Sequence, residues 1–549
     1  MSNIGRLPQP VVEQILGEVL NNQALDAWSW KQQLSLLNVC RQWREIALPC
    51  IYALCFIKIR EDFVYDSDSN EFDSDDSDSE DARVVLESSV NATVVRGFCH
   101  YVQHMHITLL WPSDPLVYIE EVLRMLGTHS ADWTSVTTLS ITFSSASSDE
   151  RNTSYVRTCR VKKAVAKSAK RIAALMPCIT TFNVHGYTSN GMADIFVRQL
   201  AESYSKQLQT LKCNIPLTLS GLHLSEALTH LHLQLDSGSS RLVSQFHAGS
   251  LRSLVLTNVP CNFSWRYFIG DSADEENSAT FHQLESISVS YTTQPDKHKN
   301  TVFDGYKLNF PKLANISTQN CPANCSLLRA ASHPLTLCSV SVTGPFSAFT
   351  ALCGMRITCV GDLNVAITSI GESNMPGFYK AANQLFGGNK VSKILKLSLP
   401  QCGFVLDPQN IEWNNMTELV CQDSIEFSDL VSLIPRLPRV VKLDITSVTF
   451  GNLPVALLHQ ASNMDQSNSG RAPTESLNAQ IKELRLFVSA YEYQVEQVVS
   501  AVQYLIVRIP SLRVLHLAEY IHQDILKFIE RVKQQYPHVG NITVKHAFR

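Results

Sequence analysis

Long apolar runs, paired cysteines and blocks of basic charge are all missing from this chain of 549 residues. No stretch approaches the ~18 consecutive apolar residues of a membrane-spanning helix, so no membrane partner is expected. The opening residues, MSNIGRLPQPVVEQ, lack a basic start followed by an apolar core, and no secretory signal is expected from them. The 15 cysteines are scattered without a C-x-x-C pair. Several, such as Cys213 and Cys421, fall on apolar strand positions, where a thiol acts as a small hydrophobe. That usage fits a reducing compartment, the cytoplasm or nucleus. Without a secretory signal, N-x-S/T sequences such as those at Asn91, Asn315 and Asn541 are read as coincidental. Cys321 and Cys325 form C-x3-C, but no second pair with zinc-like spacing follows, so neither metal nor cofactor is expected. The absence of a Lys/Arg block argues against nucleic acid. No Gly-rich phosphate loop, G-x-S-x-G or H-E-x-x-H occurs, so no residue is nominated for catalysis.

What is present is a foldable composition, 45% hydrophobic and 17% charged, in a chain too long for one compact core. The net charge of −4 conceals an asymmetry: DSDSNEFDSDDSDSED, from Asp66 to Asp81, holds nine acids and no base. A segment so poor in apolar side chains cannot offset its ordering entropy, which predicts a disordered acidic linker over 61–85. Asp66, Asp68 and Asn70 imitate the start of a calcium loop. Glu71 stands where the sharp turn needs Gly and Ser77 where the last ligand would be, so calcium is not expected. Acids follow Ser77 closely, which suits an acid-directed kinase.

From about residue 86 to the end one pattern recurs: an apolar anchor, a second apolar residue three on, and a third two further on. Clear copies are Leu228-Leu231-Leu233, Leu251-Leu254-Leu256, Leu284-Ile287-Val289, Val440-Leu443-Ile445, Ile481-Leu484-Leu486 and Leu512-Leu515-Leu517. Weaker ones include Val102-Met105-Ile107, Val136-Leu139-Ile141, Ile179-Phe182-Val184 and Leu208-Leu211-Cys213. The last two residues of each triple alternate with polar ones, the signature of a half-buried strand. Pro177, Pro311, Pro438, Pro510 and Pro537 stand two residues before an anchor, several after helix-period stretches. Proline ends helices, so the unit reads as helix, Pro, turn, strand.

Such L-x-x-L-x-L strands alternating with helices resemble a leucine-rich-repeat solenoid. The Asn or Cys expected three residues after the last strand Leu is mostly absent; Asp236 and Val259 occupy two of those slots. The expectation is therefore an irregular α/β solenoid over 86–549, a parallel-strand horseshoe with outer helices and long insertions, the course of 344–393 being left open. An ordinary α/β domain is the competing architecture.

Residues 1–60 read as a helical module. Leu7-Pro8 opens a helix, with Val11, Val12, Ile15, Leu16 and Val19 at helical spacing. A polar gap leads to LSLLNVCRQWREIALPCIY (34–52), read as a helix that stops at Leu48-Pro49. The L-P start and the V-C-R-x-W-R of Val39, Cys40, Arg41, Trp43 and Arg44 resemble the F-box. The Leu48-Pro49…Ile51-Tyr52 ending resembles fungal F-box proteins that continue into leucine-rich repeats. The segment 21–33 is longer than the usual F-box connection.

That resemblance implies a Skp-family adaptor as partner, bound through Leu7, Pro8, Val11, Val12, Ile15, Val39 and Trp43. Trp43 fits equally a core or an interface, while Leu16 and Leu37 fit the core. It further implies a non-catalytic substrate receptor of an SCF-type cullin–RING ubiquitin ligase, whose repeats bind an unidentified protein. The alternatives are a repeat scaffold whose N-terminal helices cap the solenoid and a solenoid enzyme or enzyme regulator. Residues two, four and six after each anchor face the inner, concave sheet. On that ground Lys212, His230, His232, Arg485, Phe487 and His516 are the candidate substrate contacts. The pairs His104/His106 and His230/His232 each lack a third metal ligand nearby.

Overall fold

The computed structural model describes residues 10–11, 41–63, 82–111, 115–127, 132–145, 155–186, 192–216, 226–235, 249–260, 263, 278–292, 307–320, 327, 331, 335–355, 357–368, 375–386, 391–398, 416–449, 476–477, 480–488, 495–517, 519–534 and 537–546. Packing divides the chain into two compact units, residues 1–258 with 267–272 and residues 259–266 with 273–549. The stretch read as one solenoid, 86–549, is shared between them. Both units are mixed α/β with mainly parallel strands.

The first unit begins with helix α1 (Arg41–Tyr52), which buries Ala47, Ile51 and Tyr52 and exposes Arg41, Arg44 and Glu45. The expected stop at Leu48-Pro49 is not made. Pro49 sits on the exposed side, where the lost N–H bond is tolerable, and burial of Ile51 and Tyr52 holds the final turn in place. Tyr52 packs on Phe98 with ring centroids 4.7 Å apart, and its hydroxyl accepts a 2.7 Å bond from Arg96 Nη1.

Tyr52 is also the anchor of an unrecognised first repeat, Tyr52-Cys55-Ile57, all three buried. Strand β1 (Leu54–Phe63) follows at once. This corrects the helical reading of 54–60 and the linker reading of 61–63. Cys55, Ile57 and Ile59 are buried while Lys58 and Arg60 are not, and that period of two dictates a strand. Strand β2 (Ala82–Ser88) pairs antiparallel with β1, from Ile57 opposite Ser88 to Phe63 opposite Ala82. Residues 82–85 are thus strand as well, because their backbone groups complete a ladder. The linker's remainder, 64–81, lies outside the described residues.

Strands β3 (His104–Trp111), β4 (Thr138–Ser145), β5 (Thr181–Gly186), β6 (Thr210–Pro216), β7 (His230–Gln234) and β8 (Ser253–Val259) then pair in sequence order, all parallel, starting from β1. Helices α2 (Val90–Val95), α3 (Leu116–Leu126), α4 (Tyr155–Leu175) and α5 (Met192–Ser203) cover one face. Helix α4 buries Val165, Ala169, Ile172 and Ala173 at helical spacing. Its Ser168 and Arg171 both donate to Glu120 of α3, at 2.8 and 2.9 Å. Trp133, fully buried, donates Nε1–H to the Leu126 carbonyl at 3.0 Å and closes the turn after α3.

Two devices stack the repeats. First, the carbonyl one residue after each anchor accepts two N–H groups from the next repeat. Ala53 receives Gln103 and His104, Gln103 receives Thr137 and Thr138, and Thr137 receives Thr180 and Thr181, at 2.8 to 3.0 Å. Second, the residue seven after the anchor turns left-handed in three repeats: Gly186 (φ 108°), Asn258 (φ 57°) and Asn320 (φ 49°). At Gly186 an added Cβ would lie 2.1 Å from the Phe143 carbonyl oxygen, so only glycine fits. Asn258 tolerates the conformation and donates its amide to the Leu235 carbonyl at 2.9 Å. Asn320 does the same to Tyr291, in the second unit, at 3.5 Å. The asparagine missing from the expected slot is therefore present one residue earlier.

In the second unit, the short strands β9 (Ser278–Thr280) and β11 (Lys307–Asn309) pair parallel with each other. The element before Pro311 is thus β11 and not a helix. The main sheet runs β10 (Ser286–Tyr291), β12 (Asn315–Gln319), β13 (Leu335–Gly344), β14 (Ile357–Ile367), β15 (Val391–Ser398), β16 (Glu418–Glu426), β17 (Lys442–Thr449), β18 (Glu483–Val488), β19 (Val514–Leu517) and β20 (Thr543–His546). Neighbours in that order are parallel. Helices α6 (Phe346–Gly354), α7 (Met375–Phe386), α8 (Phe427–Leu433), α9 (Val495–Arg508) and α10 (Glu519–Val532) complete it. The region 344–393 follows the rule: β14 carries Val360-Leu363-Val365 at the repeat spacing, all buried.

Candidate functional site

Because side chains alternate along a strand, the anchors' own triples point to the helices and the residues between them form the open face. In the first unit that face has three columns, set by strand register. The first runs His104, Thr138, Thr181, Thr210, His230, Ser253. The second runs Phe56, His106, Ser140, Asn183, Lys212, His232, Val255. The third carries Lys58, Thr108, Thr142 and His185, with Asn214 in hydrogen-bond contact with His185 before the register shifts between β6 and β7. The candidates Lys212, His230 and His232 therefore lie together on adjacent strands. Parallel neighbours are ~4.8 Å apart, so such side chains sense one another.

Charge on this face is one-sided. Lys58, His106, His185, Lys212 and His232 occupy the second and third columns. The carboxylate on these columns among the described residues is Glu87, at the β2 edge opposite Lys58 and 3.5 Å from Arg60 Nη2. Burial pushes the His106 imidazole below its ordinary value, and Lys58 and His185 add to the effect. Burial lowers His232 as well, reinforced by Lys212 and His185. Both rings are therefore neutral near pH 7 and protonate only in more acidic solution. Asn183 donates to Ser140 Oγ at 3.3 Å, and Asn214 Nδ2 lies 3.3 Å from His185 Nδ1. The Oδ1 atoms of both asparagines are shielded and meet no protein donor among the described residues. Among the described residues no three His, Cys, Asp or Glu gather as metal ligands.

The second unit's open face is arranged otherwise. One column reads Asp362, Lys393, Glu418, Lys442, Glu483, and its neighbour reads Asp444, Arg485, His516, Lys545. Signs alternate along the first of these columns, and three cross-strand pairs form on the face. Lys442 Nζ lies 2.8 Å from Glu418 Oε1, Arg485 Nη1 3.3 Å from Asp444 Oδ2, and His516 Nε2 3.2 Å from Glu483 Oε1. The Glu418 bond raises the Lys442 ammonium. Asp444, only 8% exposed, is raised by burial, which outweighs the attraction of Arg485, Lys442 and His516. His516 is lowered by burial and by Arg485 despite its bond to Glu483. The candidates Arg485 and His516 are thus neighbours already engaged with acids. Phe487 lies on β18, but its side chain is outside the described residues.

Of the adaptor candidates, Val11 is 40% exposed and helical in backbone. Leu7, Pro8, Val12, Ile15 and Val39 lie outside the described residues, as do Leu16, Leu37, Cys321 and Cys325. Trp43 is in α1, with its side chain likewise outside them. Cys55 and Cys213 are buried and their thiols pushed up to about 12, which makes them inert at neutral pH.

Sequence reasoning overlooked Lys58 and His185. Both stand six residues after an anchor, Tyr52 and Ile179. The signal for His185 was present, but Tyr52 had not been recognised as an anchor. The chain matches no protein-family model and no curated protein.

Proposed function

We propose that this chain is the non-catalytic substrate-recognition subunit of an SCF-type cullin–RING ubiquitin ligase. Its N-terminal segment would dock a Skp-family adaptor, and its repeats would hold the target protein. The reaction would be accelerated by proximity, the receptor raising the target's effective concentration near a ubiquitin-charged enzyme. What supports this reading is the joining of two features: the F-box-like sequence over residues 5–52 leads directly, through Tyr52, into a stack of parallel strands with a polar open face. Extended polar faces of repeat proteins suit protein recognition. A cytoplasmic or nuclear location belongs to the same proposal. No described helix is long and apolar enough to cross a membrane.

One observation favours the rival scaffold reading. Ala47, Ile51 and Tyr52 of α1 are buried, as a helix that caps the first repeat requires. The test is co-purification of the full chain with a Skp-family adaptor, alongside Leu7→Asp and Val39→Asp variants. Capture by the wild type, lost in both variants without loss of folding, is the expected result. A folded wild type that captures no adaptor refutes the receptor reading. Variants that unfold the whole chain favour the cap.

A further inference from the structure

The one-sided face of the first unit has a chemistry that its position as a repeat surface does not require. A solvated sheet face of this size normally mixes charges, as the second unit's does. Here β1, β3, β5, β6 and β7 contribute Lys58, His106, His185, Lys212 and His232, with His104 and His230 one column away. Among the described residues the opposing group on these columns is Glu87, at the edge and beside Arg60. Thr108, Ser140, Thr142 and Asn183 fill the remaining places with hydrogen-bonding groups and no acid.

We infer that this face binds an acidic peptide segment of a partner protein. Lys212 and the imidazoles of His106, His185 and His232 receive its carboxylates. The source of that peptide, a ubiquitination target, rests on the receptor reading; the binding itself does not. An extended strand of partner chain spaces alternate side chains ~6.5–7 Å apart. That step matches the distance between neighbouring columns, which are two residues apart along each strand. A carboxylate set between His232 and Lys212 removes the repulsion that this pair carries. It also favours the charged imidazole, so binding takes up protons. The sign follows: affinity rises as pH falls through the ordinary histidine range, because the bound rings protonate before the free ones.

The experiment is fluorescence polarisation with a labelled oligoglutamate peptide on the full chain. The protein carries Asn and Gln in place of the nine acids from Asp66 to Asp81, so that the chain's own acidic run does not compete. Binding should tighten about tenfold from about pH 7.5 to about pH 5.5 and weaken steeply with salt. Lys212→Glu should weaken it at least ~10-fold at both pH values. His106→Gln with His232→Gln should retain the binding near pH 7.5 and reduce its pH dependence. Lys442→Glu, on the other unit's face, should leave it unchanged. Absence of binding at either pH overturns the proposal, as does binding indifferent to Lys212→Glu in a variant with an unaltered unfolding transition. Adaptor capture by the same protein, measured in parallel, separates the two readings: peptide binding without adaptor refutes only the receptor, and adaptor without peptide binding refutes only the acidic ligand.

Discussion

Four residues after its anchors, the first unit's open face carries His106, Asn183, Lys212 and His232; at the same place the second unit carries Asp444, Arg485 and His516. The repeat geometry is shared, so backbone does not explain the difference. In the second unit Lys442 meets Glu418, Arg485 meets Asp444 and His516 meets Glu483 on a neighbouring strand. In the first unit His106 and His232 have their proton affinity lowered by burial and by Lys58, Lys212 and His185 beside them, and among the described residues of β3 to β7 no carboxylate stands on these columns. A sheet column used internally as an ion ladder serves stability, and one left with a single sign serves recognition.

The largest break in this contrast is expected at Arg485. Arg485→Met strands the buried Asp444 carboxylate. Removing one partner of a buried pair costs up to 3–5 kcal/mol, and Arg485's partial exposure brings that to about 2 kcal/mol. Asp444→Leu with Arg485→Met should recover most of the loss, whereas Lys212→Met in the first unit should stay within ~0.5 kcal/mol of wild type. Urea unfolding of the full chain with reporters in each unit reads all three.

How far the sequence reveals this is uneven. The triples predicted where strands lie, since an anchor at a turn and two buried residues at period two are local facts. Even the weak copies at Val102 and Val136 are fully buried. The N-terminal boundary failed because Tyr52 completes both a helix and the next repeat, and the F-box resemblance drew attention only to the helix. The edges of the acidic segment failed because pairing of Ala82–Ser88 with Leu54–Phe63 is non-local. Composition saw the acids between the two strands and not the ladder. On the faces, position alone selected Lys212, His232, Arg485 and His516. It gave no warning that the latter two are already paired, which depends on register between strands more than 20 residues apart.

A smaller effect compares the two left-handed asparagines. Asn258→Ala forfeits a 2.9 Å bond and places alanine at φ 57°, and should cost about 1–2 kcal/mol. Asn320→Ala, whose bond is 3.5 Å and more exposed, should cost about half that. Charge reversal is smaller again. Lys442→Glu sets like charges beside Glu418 and Glu483 and should destabilise the second unit by ~1 kcal/mol, whereas Lys212→Glu should leave the first unit unchanged or stabilise it by ~0.5 kcal/mol.

The smallest effect is in pH. The proton affinities of His106 and His232 are lowered by folding, so the unfolded chain protonates first as pH falls through ~6.5. The first unit's stability is therefore full above that range and declines below it, and His106→Gln with His232→Gln should flatten the decline. Asp444 runs the other way. Its proton affinity is raised, so its cost is absent below ~3.9 and appears as pH rises through its folded value. His516 adds a decline like that of the first unit's histidines, and so the variants must be read unit by unit.

Hydrogen exchange of the full chain, its acids from Asp66 to Asp81 neutralised, with and without the oligoglutamate peptide tests the contrast most directly. Slower exchange is predicted across β3 to β7, stronger near pH 5.5 than near pH 7.5, with β16 to β19 unchanged. Protection of β16 to β19 instead, or none on either face, would contradict the account.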